Sequence, residues 1–142
     1  MLIRQAREED VPTLLEWAVD FAEEVLPDYP ADREQLAMLL EKCRTEGVAL
    51  VAEENDVLKG MIGGLYITHP LHRGISVLQE LAWWVPYQYR STRVGWVLVK
   101  VFSELNKTDV TIMSLLHSSK VAPKHMEKLG YRMEEQAWLK RN

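Results

Sequence analysis

The apolar positions change their period along this chain, and the change separates the elements. Residues 2–7 (LIRQAR) read as a short strand. Val11, Leu14, Leu15, Ala18, Phe21, Ala22 and Val25 then recur at helical spacing, so EEDVPTLLEWAVDFAEEV predicts an amphipathic helix. Asp10 ahead of Val11 and Pro12 supplies its start, and PDYP (27–30) breaks it. Asp32 with Gln35 resembles a capping pair opening a second helix through Leu36, Leu39, Leu40 and Cys43, which stops at Gly47.

Past Gly47 the period shortens. VALVAEE reads as a strand, Asn55-Asp56 as a turn, and VLKGMIGGLYI as a long partner strand. Gly60, Gly63 and Gly64 in that partner predict bulges or close backbone approach. THPLHRGIS reads as a polar loop. SVLQELAWWVP is the next strand, and its nearly continuous apolar end suits a central position covered on both faces. Residues 95–106 predict a helix, DVTIMSLLH a further buried strand, SSKVAPKHMEKLG a helix ending at Gly130, and YRMEEQAWLK a last strand. Strands alternate with helices only in the second half. The expectation is an α/β chain with a mixed sheet and helices on both faces. No repeat, low-complexity tract or linker interrupts it, so residues 1–142 are expected to form a single domain.

Composition narrows the functional classes. Hydrophobic content of 47% and charged content of 27% are ordinary globular values. A net charge of −4 gives no general drive towards nucleic acid or an anionic membrane. The single Cys43 excludes an internal disulfide, and with Leu39 and Leu40 nearby it reads as a packing thiol. MLIRQAREED lacks the apolar core of a signal peptide, and no apolar run approaches a membrane span, so a cytoplasmic location is expected.

The chemistry gathers in QYRSTRVGW (88–96), where Arg90 and Arg93 flank Ser91 and Thr92 at a strand-to-helix junction. Unpaired N–H groups at a helix N-terminus attract phosphate, and successive turn amides form an anion-binding nest. A solvated turn is the plainer reading of the same residues. Neither a Walker loop nor a dinucleotide glycine fingerprint is present.

The order of elements, and VPYQYRSTRVGWVLV above all, resembles the GNAT family of acetyl-coenzyme A-dependent N-acetyltransferases. Arg90, Ser91, Thr92, Arg93, Val94 and Gly95 occupy the positions of that family's [QR]-x-x-G-x-[GA] signature. HMEKLGYR resembles its YEKLGF segment, and IRQAREED before an amphipathic helix resembles its usual start. The resemblance implies the GNAT fold, with a mostly antiparallel sheet splayed at the cofactor site. It implies acetyl-CoA as cofactor, with Trp83, Trp84 and Val85 lining the pantetheine arm and Arg90 to Trp96, with Ser119, in the cofactor set. The thioester would point between the central strand and the one starting near Val110. Two departures stand out. Arg93 occupies the place of the first motif glycine, where it either crowds the phosphate or swings outwards to pair with it. Met126 occupies the place of the tyrosine that protonates the leaving thiolate, and a thioether has no proton to give.

Acetyl transfer to an amine requires a deprotonated amine and a stabilised oxyanion, for which strand amides near Val85 are available. Glu80 is the candidate base, a lone carboxylate in an apolar strand, and burial would raise its pKa. Its alternative is a solvated or arginine-paired strand start. His117, ending the following strand, is the second candidate for moving a proton. Ser118 or Ser119 would cap the next helix, and Tyr66, Tyr87 and Tyr89 are the phenols at hand. His69 and His72 lack a Cys or carboxylate at zinc-ligand spacing, so no metal is expected. Trp17, Trp96 and Trp138 read as core, while Trp83 and Trp84, adjacent on a strand, point to opposite faces. The substrate set is Asp28, Tyr29 and Tyr66, with Glu23 and Glu24 nearby, which would suit a cationic amine of a small molecule or protein. A homodimer is compatible with these readings. Three functions follow: a direct N-acetyltransferase, a coenzyme A-binding regulatory module, or a protein-interaction domain on the same fold.

Overall fold

Alternation of small and branched apolar residues builds the first part of the sheet. In the computed structural model, which describes residues 1–116 and 119–142, β2 (Val48–Glu54) is buried along most of its length. Its even positions Val48, Leu50 and Ala52 pack on one face, while Ala49 and Val51 pack on the other. β1 (Leu2–Gln5) and β3 (Val57–His69) flank it, both antiparallel. β4 (His72–Trp84) follows antiparallel to β3, and the short β5 (Val110–Ile112) lies parallel to β4. The order in the five-stranded sheet is β1-β2-β3-β4-β5.

Helices cover both faces, as the pattern required. α1 (Val11–Val25) and α2 (Arg33–Glu46) place Leu14, Ala18 and Cys43 against Ala49, Val51 and Met61. α3 (Val94–Ser103) places Val94, Leu98, Val99 and Phe102 against Leu50, Ile62 and Leu78 on the opposite face. α4 (Pro123–Lys128) is a short helix holding Met126 inward. Asp32 caps α2 by accepting the Gln35 N–H at 3.0 Å. Asp10 is not a side-chain cap for α1. Its carboxylate accepts the Arg7 N–H at 2.7 Å and is held by Arg4, also at 2.7 Å.

Two close approaches position the candidate site. Gly64 lies under Phe102, and a Cβ there would come 2.7 Å from the Gln79 carbonyl and 3.0 Å from the Phe102 ring. The register shifts at Gly63/Gly64, so Gly63 faces Ala82 while Gly64 faces Glu80, and Leu81 is the bulged residue of β4.

Several elements differ from the sequence reading. THPLHRGIS is not a loop: β3 runs to His69 and β4 begins at His72, leaving Pro70 and Leu71 as the turn of a hairpin. Among the described residues, DVTIMSLLH contributes a strand only at Val110–Ile112, and Val110 is exposed. The helix after it spans Pro123–Lys128, preceded by Ala122 with no side-chain cap, so Ser119 does not cap it and Ser118 lies outside the described residues. YRMEEQAWLK forms no strand. Met133 and Leu139 are exposed and Trp138 is 89% exposed, so Trp138 is not a core residue. Alternating polarity marks a strand only when a sheet edge receives it, and none pairs with this segment.

Candidate functional site

The pairing of β4 with β5 is short. It runs from Val77↔Val110 to Gln79↔Ile112 and stops. β4 continues to Trp84, while residues 113–116 leave the sheet, so the two segments part at Glu80. The edge of β4 from Glu80 to Trp84 therefore faces no strand among the described residues. An extended amide-bearing chain could lie along such an edge and use its backbone groups.

Glu80 stands at the apex of this cleft. It follows Leu78 on the α3 face and pairs with Gly64, the residue under Phe102. Glu80 is only 5% exposed, and its Oε2 accepts the Ser114 N–H from across the cleft at 3.3 Å. Burial pushes its carboxyl up to about 7, and the Ser114 hydrogen bond offsets part of that rise. A carboxylate that exchanges a proton near neutrality is suited to general-base work.

A second polar group on this face was not read from the sequence. The Tyr131 hydroxyl lies 2.7 Å from Ser103 Oγ, which donates its own proton to the Val99 carbonyl at 2.7 Å. The Tyr131 pKa is raised, mainly by burial and also by the charge of Glu80. Nothing in GYR distinguishes this tyrosine from a packing aromatic until α3 and α4 are assembled. Met126 is buried.

The turn leaving β4 is built around a buried Val85. Arg90 folds back over it, with Nε donating to the Val85 carbonyl at 2.8 Å and the guanidinium 4.6 Å from the Trp84 ring. Its terminal nitrogen is 3.6 Å from Glu24 of α1. The Arg90 side chain thus shapes the turn instead of facing the head of α3. Ser91, Thr92 and Arg93 are exposed. The Thr92 N–H bonds to the Tyr89 carbonyl at 3.1 Å, and its hydroxyl accepts the Val94 N–H at 3.3 Å. The amides of Ser91, Arg93, Gly95 and Trp96 have no acceptor among the described residues. They form a run of free donors at the positive end of α3, which suits a pyrophosphate.

The geometry also explains the two motif positions. Arg93 has φ −78° and ψ −1°, so the backbone there does not require glycine. Packing favours glycine at position 95 instead. A Cβ at Gly95 would lie 3.2 Å from Trp83 Cζ2 and 3.4 Å from Val85 Cγ2, so its absence lets α3 sit on β4. Trp83 Nε1 is buried there with no hydrogen-bond partner among the described residues, a polar atom left over beside the same helix turn. Trp83 faces α3 while Trp84 faces α1, with Phe21 edge-on at 6.4 Å. The free amides, the open strand edge and this orphaned donor together fit a coenzyme A chain.

The other expected residues are scattered. Trp96 packs edge-on against His125 at 6.0 Å, joining α3 to α4. Ser119 closes a local turn, donating its N–H to the Leu116 carbonyl at 2.8 Å. Asp28 is held by Arg141 at 2.6 Å, and Tyr29 is exposed. Tyr66 sits on β3 opposite Leu78 and is partly exposed. His69 and His72 pair across the hairpin with rings 5.0 Å apart. His117, the second proton-transfer candidate, lies outside the described residues.

Comparison with solved structures places this geometry. A transcriptional regulator from Bacillus halodurans C-125 matches at a TM-score of 0.72 with 14% identity, covering 99% of each chain. A GNAT family acetyltransferase from Staphylococcus aureus matches at 0.64 with 16% identity, covering 99% of this chain and 98% of that one. The fold is that of the GNAT acetyltransferases. An aminoglycoside acetyltransferase from an uncultured soil metagenomic sample, in complex with sisomicin, matches at 0.67 with 13% identity, over 99% of this GNAT-fold chain and 94% of that one. No protein-family model matches the sequence, and no curated protein matches it. No helix among the described residues is long and apolar enough to cross a membrane.

Proposed function

We propose that this chain is an acetyl-CoA-dependent N-acetyltransferase that passes the acetyl group directly to a primary amine of a small molecule, peptide or protein. The observation that carries this reading is the parting of β4 from β5 at Gln79↔Ile112, with the buried Glu80 as the first residue beyond it. Acetyl-CoA, when bound, supplies the activated acetyl thioester. Backbone groups of Glu80 to Val85 would hold its pantetheine arm, and the amides of Ser91, Arg93, Gly95 and Trp96 its pyrophosphate. Arg90 contributes by pinning the turn through Val85 and Glu24.

Glu80 takes a proton from the acceptor ammonium, which frees the nitrogen lone pair for attack. Its carboxyl near 7 lets it accept that proton at neutral pH and return it to solvent. Tyr131 carries its hydroxyl proton at neutral pH, as any tyrosine does, and it stands within the electrostatic reach of Glu80. That suits it to supply the proton that Met126 cannot. Cys43, the one thiol, is buried and its pKa is pushed up to about 11, so it offers no thiolate to carry the acetyl group, which favours direct transfer.

A second reading has specific support. Met126 is buried at the position of the usual tyrosine, and one close structural match is described as a transcriptional regulator. A coenzyme A-binding module that regulates would share the cleft but not the turnover. The separating experiment supplies acetyl-CoA with a panel of primary amines and follows release of the free coenzyme thiol. Amine-dependent release that is lost in Glu80→Gln sustains the enzyme. Binding of acetyl-CoA without release under any amine supports the module.

A further inference from the structure

A second concave feature lies away from the β4–β5 cleft. A groove of about 460 Å³ runs between α1 and the turn leaving β4, and Trp17, Asp20, Leu58, Trp84, Tyr87 and Tyr89 line it. Helical spacing puts Trp17 and Asp20 on one side of α1. Trp84 faces them because Trp83, its neighbour in β4, is committed to α3.

The wall of this groove already holds one cation. The Arg90 guanidinium sits 4.6 Å from the Trp84 ring and 5.7 Å from the Tyr87 ring, with Glu24 as its counter-charge at 3.6 Å. Asp20 lies one helical turn before Glu24 on the same side of α1 and has no ion pair or hydrogen bond among the described residues. The other nearby cation is also spoken for: Lys59, 5.2 Å from the Tyr89 ring, is paired with Glu54 at 2.7 Å. Electron-rich ring faces beside an uncompensated carboxylate attract a cation and repel an anion. The groove is open, so a head group enters while the rest of the molecule trails into solvent.

We propose that this groove binds an organic ammonium, a primary or methylated amine head group, against Trp17, Trp84 and Tyr87 with Asp20 as its counter-charge. The site does not use the amides at the head of α3 or Glu80, so the claim stands whether or not the chain transfers acetyl groups. It differs from the expected acceptor set, since Asp28 is occupied by Arg141.

The probes are choline and its neutral isostere 3,3-dimethylbutan-1-ol, titrated into the full chain. The signal is the indole N–H resonances of the five tryptophans, assigned with single Trp→Phe variants. The expected result is a saturable choline shift at Trp17 and Trp84, with the isostere binding at least about fivefold more weakly. Asp20→Asn and Tyr87→Ala, both at exposed positions, should each weaken choline about fivefold without altering the fold. No saturable shift, equal affinity for the isostere, or unchanged choline affinity in Asp20→Asn would each overturn the proposal. Choline binding by a chain that ignores acetyl-CoA would uphold this site while ending the acetyltransferase reading.

Discussion

Replacing Glu80 with glutamine should stabilise the protein at alkaline pH and leave it nearly unchanged at acid pH. The carboxyl sits at about 7 in the folded chain against 4.5 for the ordinary group, because burial disfavours the charge. The folded state therefore holds this proton more tightly than the unfolded state. Folding stability from this group is fully present below about pH 4.5 and is lost as pH rises through 7. Each unit of difference corresponds to about 1.4 kcal/mol, so ionising Glu80 costs the fold about 3 kcal/mol by pH 8.5. Glutamine keeps an oxygen for the Ser114 N–H and carries no charge to bury. Urea unfolding of wild type and Glu80→Gln at pH 5 and pH 8.5 measures the difference, and comparing the two proteins cancels every contribution they share. Stability of the variant should exceed wild type by about 3 kcal/mol at pH 8.5, or roughly 6–12 °C in Tm. A difference that is the same at both pH values would refute the buried, protonatable carboxyl and with it the base assignment.

Other consequences are equally open to test. Arg4→Leu leaves the buried Asp10 without its partner and should cost about 3–5 kcal/mol in urea unfolding at pH 7. The same Asp10 has a lowered pKa, chiefly from its Arg4 hydrogen bond, so its stabilisation exists above the usual carboxylate range and fades as pH falls below it. In Asp10→Asn that acid-side fall should be shallower than in wild type. Gly64→Ala forces a Cβ to within 2.7 Å of the Gln79 carbonyl and 3.0 Å of Phe102, and thermal unfolding should show a loss of about 1–3 kcal/mol. Cys43 is buried and its thiol pushed up to about 11, so a thiol-specific disulfide reagent at pH 8 should leave it unlabelled until denaturant is added.

The sheet and its helices were readable because each buried element carries a period that only one packing satisfies. Val48 to Ala52 is apolar at every position because both faces are covered, and Val11 to Val25 repeats at helical spacing because one face is. The tail from Tyr131 onward misled for the same reason in reverse. Alternation around Met133 and Trp138 describes a strand that could pair, and pairing depends on an edge that local sequence does not encode. Glu80 was legible as a lone carboxylate in an apolar strand. Arg90 was legible as a residue of the turn, but its commitment to Val85, Trp84 and Glu24 follows from the approach of α1. Asp20 and Tyr131 carried no signal, since an acid on an exposed helix face and an aromatic after a glycine are common. Their surroundings are supplied by residues distant in the chain.

The central claim is that the free amides at the head of α3 hold the pyrophosphate of acetyl-CoA, and calorimetric titration with acetyl-CoA tests it most directly. Ser91→Asp is the control, because Ser91 is exposed and a carboxylate there opposes the anion without entering the core, unlike any side chain at Gly95. The account predicts saturable binding to wild type, weakened about tenfold or more in Ser91→Asp by charge repulsion. A folded wild type that shows no binding, or a variant that binds as tightly as wild type, would contradict it.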